Sequence, residues 1–235
     1  MKNQYFGDIN DYRKYGLLRV LIGHGEIKTA VCWMLTPDDD RGDGGFIEYL
    51  KEPDQWRNRD PDLYDHLREL VQRQNLRDVR GAETSAILLA CRFAPGFLPD
   101  DADGRRRYFE ALMDLAKGCQ LAFFDPDNGI EVKLRVGRKG SSKYLYWDEI
   151  ERLWKAGHSV LIYQHFPHVP RDHFMETKAR ELAHRTGAPL VISFRTPHVV
   201  FLLVPQPERR NYFRARSAEV AQRWDPEIRV AYHSL

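Results

Sequence analysis

The chain has few cysteines, no long apolar run and no excess of either charge, and each absence excludes a class of protein. Its three cysteines, Cys32, Cys91 and Cys119, lie far apart, so they indicate neither a disulfide framework nor a thiolate zinc site. No stretch approaches the roughly 18 apolar residues that a membrane helix requires, and the N-terminal residues contain no apolar signal-peptide core. We therefore expect a soluble, cytoplasmic protein without a membrane partner.

The charges are nearly balanced, with 36 Lys and Arg against 34 Asp and Glu and a net charge of +2. A strongly basic chain would indicate a polyanion-binding protein, whereas here any nucleic-acid surface must be local. With 235 residues, of which 43% are hydrophobic, the chain can bury one good core. We expect residues 1–235 to form a single α/β domain, and the sequence does not indicate an oligomeric state.

The spacing of apolar residues predicts helices and strands in alternation. A helix that begins at an Asn10 or Asp11 cap precedes a strand at 29–35. Residues 46–118 have mostly helical periodicity, including a helix capped by Asp103, and we interpret them as a helical insertion. Further along, strands are predicted at 119–124, 159–166 and 189–194, and helices at 146–157 and 171–187.

This alternation is typical of an α/β fold with a three-layer, Rossmann-like, mostly parallel sheet. The strand predicted at 198–204 follows the preceding strand after only three residues. That connection is too short for a parallel crossover, so the two strands should form an antiparallel hairpin at or near a sheet edge. The last predicted strand is at 228–234. A parallel sheet that ends in an antiparallel C-terminal strand resembles the layout of S-adenosylmethionine-dependent methyltransferases, although a fold alone does not define a function.

Two acidic loops follow predicted strands. "TPDDDRGDGG" occupies residues 36–45, and "DPDNGI" occupies residues 125–130. Because the carboxyl ends of parallel strands meet at one edge of a sheet, we expect both loops to open into one cleft with Gln164 and His165. His165 is a candidate proton carrier near neutral pH. The alternative is that "DPDNGI" is only a tight turn, since Asp-Pro and Asn-Gly are common turn formers.

Two short motifs resemble the bacterial 23S rRNA adenine-N6 methyltransferases. "QYFGDINDYRKYGLLRVL", residues 4–21, is similar to an N-terminal motif of that family, and "LAFFDPDNGIE", residues 121–131, is similar to its DPPY catalytic turn. The resemblance implies S-adenosylmethionine as cofactor and nucleic acid as a partner, with Asp125 accepting a hydrogen bond from an amino group. It also implies cofactor-binding roles, which we assign to Asp8, Lys14, Asp43 and Gly44.

The second motif departs from the family at two positions. Asp127 and Asn128 stand where the family has its second proline and the aromatic residue that stacks on a flipped base. We take Asp125, Asp127, Asn128 and His165 as the candidate catalytic residues. The loop "KLRVGRKGSSK", residues 133–143, has the composition of a phosphate-contacting lid and equally that of an ordinary mobile loop.

The crowded carboxylates support a second hypothesis. Like charges at close range raise one another's pKa unless a cation lies between them, and carboxylate oxygens suit Mg²⁺ or Mn²⁺. Asp38, Asp43, Asp125 and Asp127 would then serve a metal-dependent nuclease or phosphoesterase. A third hypothesis is a non-catalytic binding protein on the same fold, so the sequence leaves open whether the protein is an enzyme.

Overall fold

The computed structural model describes residues 1–39 and 44–234. Within these residues the strands form one seven-stranded sheet and one two-stranded sheet. The large sheet contains β1 (Thr29–Cys32), β2 (Cys91–Phe93), β3 (Leu121–Phe124), β6 (Ser159–His165), β7 (Leu190–Arg195), β8 (Val199–Val204) and β9 (Arg229–Ser234). The pair consists of β4 (Gly129–Ile130) and β5 (Tyr144–Leu145). The order across the large sheet is β2-β1-β3-β6-β8-β7-β9.

The directions of the strands agree with the predicted fold class. β2, β1, β3 and β6 are parallel neighbours. β8 is antiparallel to both β6 and β7, so β7 runs in the same direction as β6. Among the described residues, five of the seven sheet strands therefore share one direction, and the C-terminal β9 is antiparallel to β7 at the edge. The α/β, Rossmann-like, mostly parallel sheet is confirmed.

The position of β8 differs from the prediction of a strand near the sheet edge. β8 lies between β6 and β7 and is buried along its whole length. Its sequence, "VVFLLV", is apolar on both faces, as in strands that are covered on both sides. The edge is instead taken by β9, which contains Arg229 and His233 and is partly or fully exposed throughout. β8 therefore takes an inner position in the sheet, because both of its apolar faces and both of its edges are covered there.

The helices lie on both faces of the sheet. They are α1 (Ile9–Ile22), α2 (Pro53–Trp56), α3 (Pro61–Arg68), α4 (Arg80–Glu83), α5 (Ala102–Leu115), α6 (Trp147–Lys155), α7 (Arg171–Thr186) and α8 (Arg210–Trp224). One buried cluster joins α1, α3 and α8 to one face of the sheet, and another joins α5, α6 and α7 to the opposite face. Because side chains alternate along a strand, Phe123 belongs to the first cluster and Phe124 to the second.

The first helix begins earlier than the predicted Asn10 or Asp11 cap. The Asp8 side chain accepts hydrogen bonds from the backbone amides of Asn10 and Asp11, both at 2.9 Å, so Asp8 is the N-cap of α1. The helix ends at Gly23, which has a left-handed φ of 57°. Because Asp8 caps the helix, the Asp11 carboxylate is available for contacts with other side chains. In the same way, Asp101 rather than Asp103 caps α5, through the Gly104 amide at 2.7 Å.

The segment predicted as a helical insertion, residues 46–118, also contributes to the sheet. It contains α2, α3 and α4, but β2 pairs in parallel with β1, and α5 packs on the second face of the sheet. A three-residue strand is too short to show a period-two pattern, which explains why the sequence did not reveal it. In the described ranges, no helix is long and apolar enough to cross a bilayer.

Candidate functional site

A cleft of about 630 Å³ lies where β3 and β6 end and α1 begins. It brings together most of the site residues expected from the sequence: Asp8, Lys14, Gly44, Asp125, Asp127, Asn128 and His165. Asp43 lies outside the described residues, as does its neighbour Asp40. The two motifs are far apart in the chain. They meet because Asp125 follows β3 at the carboxyl edge of the sheet, and α1, which precedes β1, begins at the same edge.

Lys14 lies at the buried end of this cleft between two carboxylates. Its Nζ is 2.5 Å from Asp11 Oδ1 and 2.6 Å from Asp125 Oδ2, and the residue is 2% exposed. The rings of Tyr15, Trp33 and Tyr163 surround the ammonium group, with centroids 5.2 to 5.9 Å from Nζ. Ion pairs and aromatic faces together compensate a buried ammonium for the water it has lost. Asp11, which the sequence analysis did not assign to the site, is thus part of it.

The ionisation of this group follows from burial and from charge. Burial alone would lower the pKa of Lys14, but Asp11 and Asp125 outweigh burial and raise it, so the ammonium form persists. Burial raises the pKa of Asp11 despite the neighbouring Lys14. Tyr15 donates a hydrogen bond to Asp11 Oδ2 at 3.0 Å, and burial holds the Tyr15 pKa well above its ordinary value. Tyr15 is therefore a hydrogen-bond donor here and not a base.

Asp8 is a group in the cleft that exchanges a proton near neutral pH. Burial, with the neighbouring Asp11 as a second cause, raises the pKa of Asp8 to about 7. Its two hydrogen bonds from the start of α1 favour the charged form, but they offset burial only in part. A carboxyl with this pKa can both accept and release a proton near neutral pH.

The two aspartates of the "DPDNGI" turn have different surroundings. Asp125 is 2% exposed, and while Lys14 engages its Oδ2, no described residue donates a hydrogen bond to its Oδ1. Asp127 accepts a hydrogen bond from Thr36 Oγ1 at 2.8 Å, and its Oδ1 is 2.6 Å from the Met1 amino group. Burial would raise the pKa of Asp127, but the amino group and the Thr36 hydroxyl hold it below its usual value.

Gln164 holds the turn in place and does not line the cleft, contrary to the expectation that it would lie in the site. Its Oε1 accepts a hydrogen bond from the Ile130 amide at 2.8 Å, and its Nε2 donates to the carbonyls of His165 at 2.9 Å and Asn128 at 3.3 Å. Gly129, with φ of 105°, packs so closely on this amide that a Cβ would overlap it. His165 does line the cleft, and desolvation lowers its pKa, so the neutral ring predominates.

Of the acidic residues named in the metal hypothesis, Asp125 and Asp127 line the cleft and Asp38 does not, while Asp43 lies outside the described residues. Asp38 accepts a hydrogen bond from the backbone amide of Gln4 at 3.1 Å and does not line the cleft. Asp125 and Asp127 are each paired with a cation of the protein itself. In the part of the chain that the structure describes, no three His, Cys, Asp or Glu side chains are grouped to hold a metal ion. The metal hypothesis therefore stays a prediction.

Several other residues line the cleft that the sequence analysis did not assign to it, among them Phe46, Lys143, Tyr163 and His198. His198 lies in the hairpin loop between β7 and β8. Because β7 runs in the same direction as β3, that loop opens at the same edge of the sheet. The rule that residues after parallel strands meet at one edge could therefore have indicated His198 from the sequence. Phe46 had no such signal, since it follows no strand.

The chain has a distant structural likeness to a known protein. No protein-family model matches the chain, and no curated protein matches its sequence significantly. Among solved structures, the chain is similar to the crystal structure of protein LPL1258 from Legionella pneumophila strain Philadelphia 1, which is described with the family model DUF519. The TM-score is 0.48 and the identity 10%, with 97% of each chain covered. At this level the likeness carries no argument about activity.

Proposed function

We propose that the protein binds S-adenosylmethionine in this cleft and methylates an amino group of a nucleic acid. The observation that carries the proposal is the state of Asp125. This carboxylate lies directly after a central parallel strand, Lys14 holds one of its oxygens, and no described residue donates a hydrogen bond to the other. A carboxylate oxygen in this state, on a residue that lines the cleft, is suited to receive a hydrogen bond from a ligand.

The cleft fits the charges of the cofactor. S-adenosylmethionine, when bound, supplies an electrophilic methyl group, and it carries a sulfonium, an ammonium and a carboxylate. Asp127 lines the cleft and suits the positive groups, while Lys143 lines it without an ion-pair partner among the described residues and suits the carboxylate. A volume of about 630 Å³ lies within the ordinary range of small-molecule sites. Gly44, in the loop after β1, also lines the cleft and lets a cofactor approach the backbone there.

Each residue has a defined part in the proposed reaction. Asp125 accepts a hydrogen bond from the substrate amino group and so orients its lone pair. Lys14 is a positioning residue, since it holds Asp125 and cannot itself reach a substrate without leaving two carboxylates. Asp8, with a pKa of about 7, takes up the proton that the amino group loses.

The proposal is tested first by calorimetric titration of the purified protein with S-adenosylmethionine and S-adenosylhomocysteine. We expect a micromolar dissociation constant for at least one of them. Mn²⁺ is titrated in parallel, because binding of the metal alone would favour the phosphoesterase hypothesis. If none of the three binds at millimolar concentration, the methyltransferase proposal is wrong and a non-catalytic binding protein becomes the better description.

The Asp125→Ala variant tests the chemistry. Transfer of a radiolabelled methyl group from S-adenosylmethionine to RNA or DNA should fall at least tenfold, because a hydrogen bond to a charged group contributes about 1.5 to 3 kcal/mol. The melting temperature should change little, since Lys14 keeps Asp11 as its partner and one crowded carboxylate is removed. Asp62→Asn, at a side chain 87% exposed, is the control. A destabilised Asp125→Ala protein with unchanged transfer would reduce "DPDNGI" to a turn.

A further inference from the structure

Two aromatic rings lie at the mouth of the cleft. The rings of Phe46 and His198 are nearly parallel, with 14° between their planes and 6.4 Å between their centroids. Phe46 is 65% exposed, and both residues line the cleft. A single exposed phenylalanine is ordinary. Two parallel rings at the entrance of a polar cleft, however, present flat faces that match a heterocyclic base.

The backbone holds both rings in place. The Phe46 carbonyl accepts a hydrogen bond from the Ile9 amide, at the start of α1, at 3.0 Å. His198 lies in the loop of the β7–β8 hairpin, where the Thr196 hydroxyl oxygen accepts from the amides of His198 at 3.3 Å and Val199 at 3.0 Å. Desolvation lowers the pKa of His198, so its ring is mostly neutral at pH 7 and suits stacking.

A basic loop, residues 133–143, ends at the same cleft with Lys143. Within the described part of the chain, none of its five basic side chains makes an ion pair, whereas surface arginines elsewhere pair with nearby acids. The five are Lys133, Arg135, Arg138, Lys139 and Lys143, and Lys143 lines the cleft. Unpaired cations next to a binding site are suited to contact phosphates.

The end of this loop is fixed rather than mobile. The Asp100 carboxylate accepts hydrogen bonds from the amides of Gly140 and Ser142, each at 2.7 Å. Arg105 donates to the carbonyls of Ser141 at 3.1 Å and Tyr144 at 2.7 Å. The backbone that carries Lys143 is therefore held beside the cleft before any ligand binds.

We propose that single-stranded nucleic acid lies across the mouth of the cleft, with one base stacked on the Phe46–His198 pair and the neighbouring phosphates on the 133–143 loop. This deepens the proposed function, on which it rests for the assignment of the cleft. The Phe46–His198 pair would also supply the aromatic face that Asp127 and Asn128 cannot provide. Aromatic platforms beside a positive surface are the usual means of holding single strands, and a base that is paired in a duplex does not present its faces for stacking.

The stacking half of the proposal is tested by fluorescence anisotropy with labelled single-stranded RNA and DNA of about 12 nucleotides, within the usual site size. Phe46→Ala should weaken binding roughly tenfold, on the scale of one lost base stack, and Phe46→Tyr should restore it. Phe97→Ala is the matched control, because Phe97 is 54% exposed and does not line the cleft. An abasic oligonucleotide, which keeps its phosphates, should bind wild type and Phe46→Ala equally.

The phosphate half is tested by the triple variant R135Q/R138Q/K139Q. It should bind single strands more weakly and show a shallower dependence of affinity on salt concentration, because fewer counterions are released. The control triple variant R73Q/R106Q/R180Q removes the same charge from side chains that pair with nearby acids, and it should behave as wild type. A polyglutamate competitor that displaces the oligonucleotide equally well from wild type and Phe46→Ala would point to an acidic protein partner and overturn the proposal.

The outcomes separate this proposal from the proposed function. If S-adenosylmethionine binds but single strands bind wild type and Phe46→Ala equally, the stacking site is wrong and the cofactor assignment stands. If single-strand binding depends on Phe46 while no cofactor binds, the stacking site stands and the methyltransferase assignment fails. Duplex binding as tight as single-strand binding would also overturn the proposal.

Discussion

At the residue scale, Lys14 organises the charges of the cleft. It follows Asp11 by three positions, which places both on one face of α1, and it reaches Asp125 from the other motif. Two carboxylates this close would repel each other in the absence of a cation. The ammonium group therefore lets both motifs occupy one site.

Replacement of Lys14 by methionine keeps much of the side-chain volume and removes the charge. We expect the free energy of unfolding at pH 7 to fall by about 3 to 5 kcal/mol, because Asp11 and Asp125 are left buried without their partner. Urea denaturation measures this. Lys117→Met removes an ion pair with Asp114 whose two side chains are largely exposed, so it should cost less than about 1 kcal/mol. Similar losses for both variants would contradict the buried role of Lys14.

The raised pKa of Asp8 predicts a pH dependence of stability. Because the folded-state pKa is about 7 against an ordinary 3.8, the folded protein binds this proton more tightly than the unfolded chain. The resulting stabilisation is complete below about pH 4 and is lost as the pH rises to about 7. In Asp8→Asn the amide still caps α1 and does not titrate.

The free energy of unfolding of Asp8→Asn, measured against wild type, should therefore rise between pH 4 and pH 8. The pKa difference sets an upper bound of about 4 kcal/mol on that rise, and urea denaturation across this range measures it. A constant difference between the two proteins at all pH values would show that Asp8 has an ordinary pKa.

At the scale of secondary-structure elements, the β3–β4 turn is both tightly held by its neighbours and part of the cleft. The sequence analysis treated a tight turn and a site as alternatives for "DPDNGI", and the structure shows a turn whose two aspartates line the cleft. Asn128 and Gly129 make the turn, Gln164 on β6 holds it, and the same turn directs Asp125 and Asp127 into the cleft.

A methyl group at Gly129 should disturb this turn. Gly129→Ala adds backbone strain at φ of 105° and an overlap with the Gln164 amide. We expect the loss of stability to exceed that of Gly118→Ala by about 1 to 3 kcal/mol, on the scale of overpacking. Gly118 also has a positive φ, of 78°, but a Cβ there would meet nothing within 4 Å. Thermal unfolding compares the two variants, and equal losses would mean that the turn is not tightly packed against Gln164.

At the scale of the whole molecule, the contact between α1 and α8 sets the position of the first motif relative to the sheet. Gly16 on α1 packs directly on the buried ring of Trp224 on α8, and a Cβ at Gly16 would overlap that ring. Trp224 belongs to the buried cluster that joins α1, α3 and α8 to one face of the sheet, and Gly16 packs against it. Asp8 and Lys14 lie on the same helix, so this packing also places them in the cleft.

Gly16→Ala tests this packing. Alanine in a helix interior normally stabilises by up to about 1 kcal/mol relative to glycine, but here we expect a net loss of about 1 to 3 kcal/mol because the Trp224 ring must move. Thermal unfolding should show a fall of several degrees. In a double-mutant cycle, Trp224→Phe should recover part of the loss. A Gly16→Ala protein that is more stable than wild type would contradict the close packing.

The sequence by itself determined the features that depend on local pattern. Runs such as "LAFF" and "VVFLLV" are buried strands because apolar residues of that length need cover, and the three-residue "RTP" connection permits only a hairpin. Parallel strands present their carboxyl ends at one edge, and this is why Asp125, Asn128 and His165 could be placed in one site before any coordinates. Strand ends did not indicate Asp8 and Lys14. These two residues entered the predicted site only because their motif resembles that of a known family.

Only the tertiary structure decided which groups touch. β8 is inserted between β6 and β7 because an all-apolar strand gains more by burial on both sides than at an edge. Lys14 meets Asp125 across 111 residues of chain, and Phe46 meets His198 from separate loops. These contacts depend on how helices pack against the sheet and on the close approach that Gly16 allows. No periodicity or local propensity encodes them, because the energies that select them arise between segments that are distant in sequence.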